Sequence, residues 1–458
     1  MIPQDRFVIV ASVASGNVAG LRERLAQMNF PGRAGFADPN NHLVPFGEFD
    51  TIHFARFVVL ADNTLGDREA YRKSGYPDLP EDEPTYLCFM VDCDGDADEL
   101  LQHIVQKAGA GLQEIFQYCG YSERDANLLG WLRAHRVKPR ASYVNWVGRT
   151  VAQVRGEAKL HNLLRDALAA ATKRDPQDLR TELLGAIAPA LPPREIPPTP
   201  LGWRLRNLAH LLLPILIAAV CVLLLVLLFV LLLKLDWLWR LILTSVLLIL
   251  VLALPPLFVI CLRRHEQSDP LIYQPHEKER IKILRAQEDH DVSNQYTAMG
   301  SIKPGRFRLW LEIAILYSLN WIARHIATRG SLGRISTIHF AHWSPFLDGN
   351  RRGFFCSNYD GGHEAYMDDF INKAGFGLNF AFSSFIAYPT TAWLFAKGAW
   401  LEQDFKRFQR RHQIPTDVWY KAYPGLTAQD LARNSRIRNG VEKAAMSDDE
   451  IRRWVAEI

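Results

Sequence analysis

The chain has 458 residues, 48% of them hydrophobic and 22% charged, with 53 Lys and Arg against 49 Asp and Glu. That composition excludes a mainly disordered chain, a collagen and a small disulfide scaffold. A formal charge of +4 gives no global field that would recommend nucleic acid as a partner.

In chain order, Phe7–Val13 is a β-branched run that predicts a strand, and Asn17–Met28 places Val18, Leu21, Leu25 and Met28 at helical spacing. The first ten residues hold too short an apolar run for a secretory leader. Thr51–Leu60 and Thr85–Val91 predict strands, Ala97–Lys107 a helix and Ala141–Val147 a further strand. The order βαββαβ over residues 1–190 is that of a ferredoxin-like unit. Residues 191–207 contain Pro192, Pro193, Pro197, Pro198 and Pro200 and predict a stiff, extended linker.

Leu208–Leu233 and Leu241–Leu262 contain no Asp, Glu, Lys or Arg. Each exceeds the roughly 20 residues that cross a hydrocarbon core of about 30 Å. Residues 208–262 therefore predict a transmembrane helical hairpin, with Lys234–Arg240, which holds two tryptophans, as an interfacial turn. Pro214, Pro255 and Pro256 are expected to kink the helices near their ends. Arg204 and Arg206 before the pair, and Arg263 and Arg264 after it, favour a cytoplasmic location for both chain ends. His210, close to the interface, is the one ionisable group within the spans apart from their cysteines, so the pair reads as an anchor and not an ion pathway. The six cysteines are scattered without a C-x-x-C pair, which agrees with a reducing compartment.

A polar linker, 263–292, leads to a second stretch, 293–426, that predicts the same element order. Its strands fall at Gln295–Ser301, Ser336–Phe346, Gly353–Ser357 and Asp417–Tyr423, its helices at Phe307–Ile326 and Glu364–Lys373. The tail, 427–458, carries Ser447 and Glu450 at capping-box spacing. Three segments recur in order. Thr51-Ile-His-Phe-Ala55 returns as Thr337-Ile-His-Phe-Ala341. Asp94-Gly95 followed by Lys107-Ala-Gly-Ala-Gly-Leu112 returns as Asp360-Gly361 followed by Lys373-Ala-Gly-Phe-Gly-Leu378. Gly148-Arg-Thr150 returns as Gly425-Leu-Thr427. The first copy is longer by a polar loop insertion at Asn63–Glu83. The expected fold is α+β: two ferredoxin-like βαββαβ repeats packed sheet against sheet as a pseudo-dimeric α+β barrel, with the hairpin inserted between them.

His53 and His339 hold equivalent strand positions, and each either faces the space between the sheets, able to bind a cofactor, or hydrogen-bonds on an outer face. Phe54 and Phe340 should point oppositely to them. Asp360 and His363, in Asn358-Tyr-Asp-Gly-Gly-His-Glu364, are acid/base candidates; the alternative role of Asp360 or Asn358 is to cap the following helix. Glu364, Asp368 and Asp369 with His363 offer a metal site or, alternatively, a solvated acidic face. Asp348-Gly-Asn before Arg351-Arg352 reads as a basic hairpin turn. Trp310, Ala314, Tyr317 and Trp321 form a stripe that is either buried or laid on a bilayer surface. The aromatic stretch Phe376–Trp400 has a more polar counterpart in the first copy and is where an apolar ligand would be sought. P-loop, Rossmann, H-E-x-x-H and G-x-S-x-G patterns are missing.

By this topology the chain resembles the dimeric α+β barrel superfamily, which includes dye-decolorising peroxidases and chlorite dismutase relatives. Those peroxidases carry G-x-x-D-G; the nearest segment here, Ser357-Asn-Tyr-Asp-Gly361, lacks the first glycine. The strings TIHFA and SNYDG also resemble uncharacterised bacterial membrane proteins, which implies the plasma membrane of a bacterium. The resemblance to the peroxidases implies haem-dependent oxidoreductase chemistry, although the family's axial histidine and distal arginine map onto no particular positions here. A membrane-anchored oxidoreductase of this kind, acting on a hydrophobic or lipid-derived ligand, has His339 as its cofactor-ligand candidate and Asp360 as its acid/base candidate. The alternative is a non-catalytic, membrane-tethered binding or scaffold module.

Overall fold

The computed structural model describes residues 2–61, 64–75, 84–122, 127–194, 198–234, 236–344, 347 and 352–458. Before the hairpin, strands β1 (Gln4–Val13), β2 (Ile52–Leu60), β3 (Thr85–Asp94) and β4 (Ala141–Val144) are interleaved with helices. These are α1 (Val18–Ala26), α2 (Leu65–Lys73), α3 (Ala97–Phe116) and α4 (Leu128–Ala134), followed by α5 (Val151–Ala170) and α6 (Pro176–Ile187). Two long helices follow, α7 (Leu201–Leu233) and α8 (Trp237–Ser268), then α9 (Lys278–Ala286). The remainder holds strands β5 (Ser293–Ser301), β6 (Ile338–Trp343), β7 (Arg352–Asp360) and β8 (Val418–Lys421). Its helices are α10 (Arg306–His325), α11 (His363–Phe382), α12 (Glu402–His412), α13 (Ala428–Glu442) and α14 (Asp448–Val455).

The predicted strands and helices are of the expected type, but the linkers are shorter: α7 starts at Leu201, because no proline follows Pro200 until Pro214, and the stretch 263–292 holds the end of α8 and helix α9. α3 and α11 run past Lys107 and Lys373 because the recurring KAGxGL segment bends a helix instead of ending it. Ala108 (φ −124°) and Ala374 (φ −136°) leave helical geometry, and the helix resumes after each. Part of the loop expected at 63–83 is helix α2; residues 63 and 76–83 lie outside the described residues. Buried Tyr71 packs α2 against Ile386, and buried Asp67 accepts from Arg411 Nε. The basic turn expected at 348–352 also lies outside the described residues except for Arg352.

Among the described residues, β1 to β8 form two sheets, and Thr391–Ala392 pairs with Ala396–Lys397 as a separate short ribbon. In the first, β1, β3 and β2 lie side by side antiparallel, and the strand beyond β2 is β8, from the far end of the chain. Two-residue strands, Gly35–Phe36 and Arg136–Val137, extend this sheet at its two edges. The second has the order β4–β6–β7–β5. Each sheet therefore receives an edge strand from the other side of the hairpin. The registers correspond: Tyr420 of β8 lies opposite Ala55, and Tyr143 of β4 opposite Ala341.

Strand alternation gives each sheet one face for helices and one for the other sheet. Phe7, Ile9, Phe57 and Phe89 pack under α1 and α3, in one core with Leu21 and Leu112. Tyr296, Phe355 and Tyr359 pack under α11 with Tyr366 and Phe370. The remaining faces meet each other: Val8, Val58 and Met90 contact the cluster of Met299, Phe354 and Cys356. Polar groups cross the same seam. Arg56, 2% exposed, donates to the Tyr296 carbonyl (3.1 Å), Thr297 Oγ1 (3.1 Å), the Ser357 carbonyl (3.2 Å) and Asn358 Oδ1. His342 Nε2 lies 2.7 Å from Asp92 Oδ1 across the sheets. Burial works to raise the Asp92 carboxyl, but His342 with Arg6 and Arg56 holds it below its ordinary range.

α7 and α8 are long and apolar enough to cross a membrane, with 33 and 32 residues and most of their surface exposed. At 1.5 Å per residue each is about 50 Å long, so both extend beyond a hydrocarbon core. The break between them is shorter than expected, because Trp237–Arg240 belongs to α8. Pro214, Pro255 and Pro256 lie inside the helices. Ser447 and Glu450 form the expected capping box at α14.

Arg56 serves acceptors on β5 and β7 that water does not reach. Replacing it by Ala is expected to lower stability by on the order of 3 kcal/mol, from the stranded acceptors. Arg56→Lys should not rescue it, because one ammonium lacks the planar reach of a guanidinium. Thermal unfolding of the full chain in detergent checks both.

Candidate functional site

The three recurring segments meet in space. Both TIHFA strands carry a register shift, between Ile52 and Phe54 and between Ile338 and Phe340, which makes the histidine the extra residue of a β-bulge. The bulge breaks strand alternation. His53 and Phe54 both touch Phe340, and Phe54 also touches His339, so the phenylalanines do not point away from the histidines as expected.

Each histidine is bound to the aspartate of the Asp-Gly pair. His53 Nε2 lies 3.0 Å from Asp94 Oδ1, and His339 Nε2 lies 2.7 Å from Asp360 Oδ1. The second oxygen of each carboxylate accepts a helix N-terminal amide at 2.7 Å: Val151 N of α5 for Asp94, Ala428 N of α13 for Asp360. Those helices are capped by Thr150 and Thr427, the last residues of the third recurring segment. Just before, the chain leaving β4 donates Asn145 N to the His339 carbonyl (2.9 Å), and the chain leaving β8 donates Ala422 N to the His53 carbonyl (3.0 Å). A carboxylate at a helix N-terminus is favoured by the unpaired amides and the dipole. The segments form one clasp built twice, closing where the exchanged strands turn back. Burial works to raise the Asp360 carboxyl, yet His339, the Ala428 amide and Ser293 Oγ hold it below its ordinary value of 3.8.

A cleft opens between the clasps. Gln4, His53, Asn145, Trp146, Arg149, His339 and Tyr423 supply its polar lining, and Val144, Val154, Phe340 and Leu431 its apolar walls. Tyr423 lies 3.1 Å from His53 Nδ1, whereas His339 Nδ1 has no bonded partner among the described residues. Arg149 is 5% exposed, and its Nε and Nη2 lack hydrogen-bond partners. Its guanidinium lies over the Trp146 ring at 4.3 Å, and Gln4 holds the turn by bonding both the Gly148 amide and the Arg149 carbonyl. Burial pulls the Arg149 guanidinium down to about 10, against the raising influence of Glu157. The residue that matches Arg149 in the other clasp is Leu426, so the clasp itself does not require an arginine.

Of the four residues singled out from sequence, the structure brings Asp360 and His339 together and places His53 on the same cleft. His363 stands apart. It is 3% exposed, stacks on Tyr296 at 5.9 Å on the helix side of the second sheet, and is pushed down to about 3 by burial and by Arg410 and Lys406. The acidic residues beside it form ion pairs: Asp368 reaches Lys406 at 2.6 Å and Asp369 reaches Lys373 at 2.7 Å. Among the described residues no group of three or more His, Cys, Asp and Glu is placed to hold a metal. A haem does not fit the cleft. The Nε2 of each histidine is already taken by a carboxylate, and the cleft's empty volume is about 290 Å³ with its open mouth included.

Sequence reasoning missed Asp94, Gln4, Tyr423 and Arg149. Asp94 was readable from its match to Asp360, and Arg149 from the one unlike residue between G-R-T and G-L-T. No family model, curated protein or solved structure matches this chain.

The folded chain releases the Asp360 proton more readily than the unfolded one. Its stabilisation is therefore fully present above about 3.8 and lost as pH falls through the lower folded value. Asp360→Ala should cost on the order of 3 kcal/mol by stranding His339 and the helix amide. Asp360→Asn should flatten the acid limb of a plot of unfolding midpoint against pH. For His363, an NMR titration is expected to find no proton uptake near neutrality.

Proposed function

We propose that this protein is a membrane-anchored binding module whose cleft takes the carboxylate of an apolar or lipid-derived acid. In this reading α7 and α8 span the bilayer, and both soluble parts face the cytoplasm. The two parts are ferredoxin-like repeats that complete each other and close as a pseudo-dimeric α+β barrel. The first–third–second order of β1, β3 and β2, repeated by β5, β7 and β6, supports the repeat. The face-to-face core of Met90, Val58, Met299 and Phe354 supports the closure.

The observation that carries the ligand class is Arg149. A desolvated guanidinium with unbonded Nε and Nη2 is unfavourable until an anion meets it, and a carboxylate accepts from both nitrogens at once. His339, held by Asp360, stands on the same cleft to donate to or accept from the bound group. The apolar walls suit the chain next to a carboxylate. This is binding without a chemical step.

Calorimetry on the full chain in detergent, with decanoate and decanol as paired probes, tests the reading. Decanoate is expected to bind and decanol not. Arg149→Leu, which copies Leu426, should weaken decanoate by about 10- to 100-fold, the range for a charged hydrogen bond of 1.5–3 kcal/mol. Equal binding of both probes, or unchanged binding in Arg149→Leu, refutes it.

A further inference from the structure

Among the described residues, the second half of the chain exposes more aromatic surface than the first. Among the described residues before α7, the exposed large apolar side chains are Phe30 and Leu191. After α8 they include Trp310 (67% exposed), Ile326 (65%), Trp393 (56%), Phe395 (53%) and Trp400 (49%). On α10, Leu311, Ile315 and Leu316 are buried; of the predicted stripe Trp310, Ala314 and Tyr317 are left outside, whereas Trp321 is half-buried and donates to the Leu211 carbonyl of α7 at 3.4 Å.

That surface lies at the roots of the two long helices. At one end of α10, Arg324 Nε donates to Asn207 Oδ1 (2.6 Å) and His325 Nε2 lies 2.9 Å from His210 Nδ1, both on α7. At the other end, the Phe307 ring stacks on His265 of α8 at 4.9 Å, and Leu311 shares a cluster with Leu262. The second aromatic group is fastened to the same place. Glu266, buried near the end of α8, accepts from Thr391 Oγ1 (2.8 Å), Trp393 N (2.9 Å) and Leu394 N (2.7 Å). Arg263 of α8 lies over the Trp393 ring at 4.8 Å. Trp393 (φ 58°) and Leu394 (φ 65°) are both left-handed, a costly backbone that the Glu266 bonds hold and that leaves Trp393 projecting.

We propose that this aromatic face is seated in the bilayer interface, so that the second half rests on lipid at a third contact besides α7 and α8. The inference depends on the reading of α7 and α8 as membrane-spanning. Lipid is favoured over a second copy of the chain because the patch adjoins the points where both helices leave the body. Trp310, Tyr317, Trp393 and Trp400 in it are the side chains that suit the headgroup boundary. Exposed Arg264 and Arg306 flank it and complement anionic headgroups. The seat fixes the tilt of the two-sheet body against the membrane.

The test uses the full chain in phosphatidylcholine–phosphatidylglycerol vesicles, with Cys221 and Cys261 replaced by Ala. A polarity-sensitive fluorophore is placed at Trp310→Cys, Trp393→Cys or, as a control on α3, Glu99→Cys. Lipids spin-labelled at shallow acyl positions should remove most of the fluorescence at 310 and 393 and little at 99. Aqueous iodide should do the reverse. Labels at 310 and 393 that respond to iodide and not to lipid overturn the proposal. So does shielding that appears only at high protein-to-lipid ratio, which would mark a second copy. The hairpin is scored separately in the unsubstituted chain, through protection of Cys221 from a membrane-impermeant maleimide. If Cys221 reacts, both readings fall; if it is protected while the labels stay wet, the seat alone falls.

Discussion

The structure depends on two carboxylates that each hold three pieces of chain together. Asp94 and Asp360 sit at the ends of β3 and β7, bind a histidine from the neighbouring strand, and accept the first amide of a helix that has just crossed from the opposite sheet. Burying a carboxylate is unfavourable unless its lone pairs are used, and here an imidazole and a helix N-terminus use them. Because the partners come from distant parts of the chain, neither clasp forms until β4 and β8 have been exchanged. The exchange makes the two sheets one body, and it puts both histidines on the same cleft.

The seam between the sheets follows the same rule. Arg56 from the first sheet reaches backbone carbonyls and side chains of the second, His342 reaches back to Asp92, and Trp419 on β8 donates to Asn358 at 2.9 Å. Apolar packing among Val58, Met90 and Phe354 would tolerate several relative placements of two flat faces. Directional bonds from buried polar groups tolerate far fewer, since a shift strands a donor or acceptor out of water.

Where the two halves correspond, the residues hold the fold; where they differ, the surface becomes selective. His53 and His339, the aspartates and the capping threonines are common to both clasps. Arg149 has no counterpart but Leu426, and Trp146, stacked on it, matches Tyr423, which instead bonds His53. Among the described residues the exposed tryptophans outside the two long helices likewise belong to one half. The proposed acid ligand and the proposed seat on lipid both rest on these departures from symmetry.

The amino-acid sequence by itself determined the two apolar helices, the kind and order of the core strands and of the helices α1, α3, α10 and α11, and the recurrence of TIHFA, Asp-Gly and G-x-T. Hydrophobic period and length are local properties, so no partner has to be known to read them. It also led to His53, His339 and Asp360, because a polar residue kept at matching strand positions stands out against an apolar run. Only the tertiary structure decided which sheet each last strand joins. Tyr143 and Tyr420 each meet an alanine of TIHFA across the ladder, so strand pattern does not distinguish a strand's own sheet from the other one. The same holds for the bulge that turns His53 and Phe54 to one side, for the separation of His363 from Asp360, and for the unpaired state of Arg149. Each is set by what stands opposite in space, and chain neighbours carry no information about that.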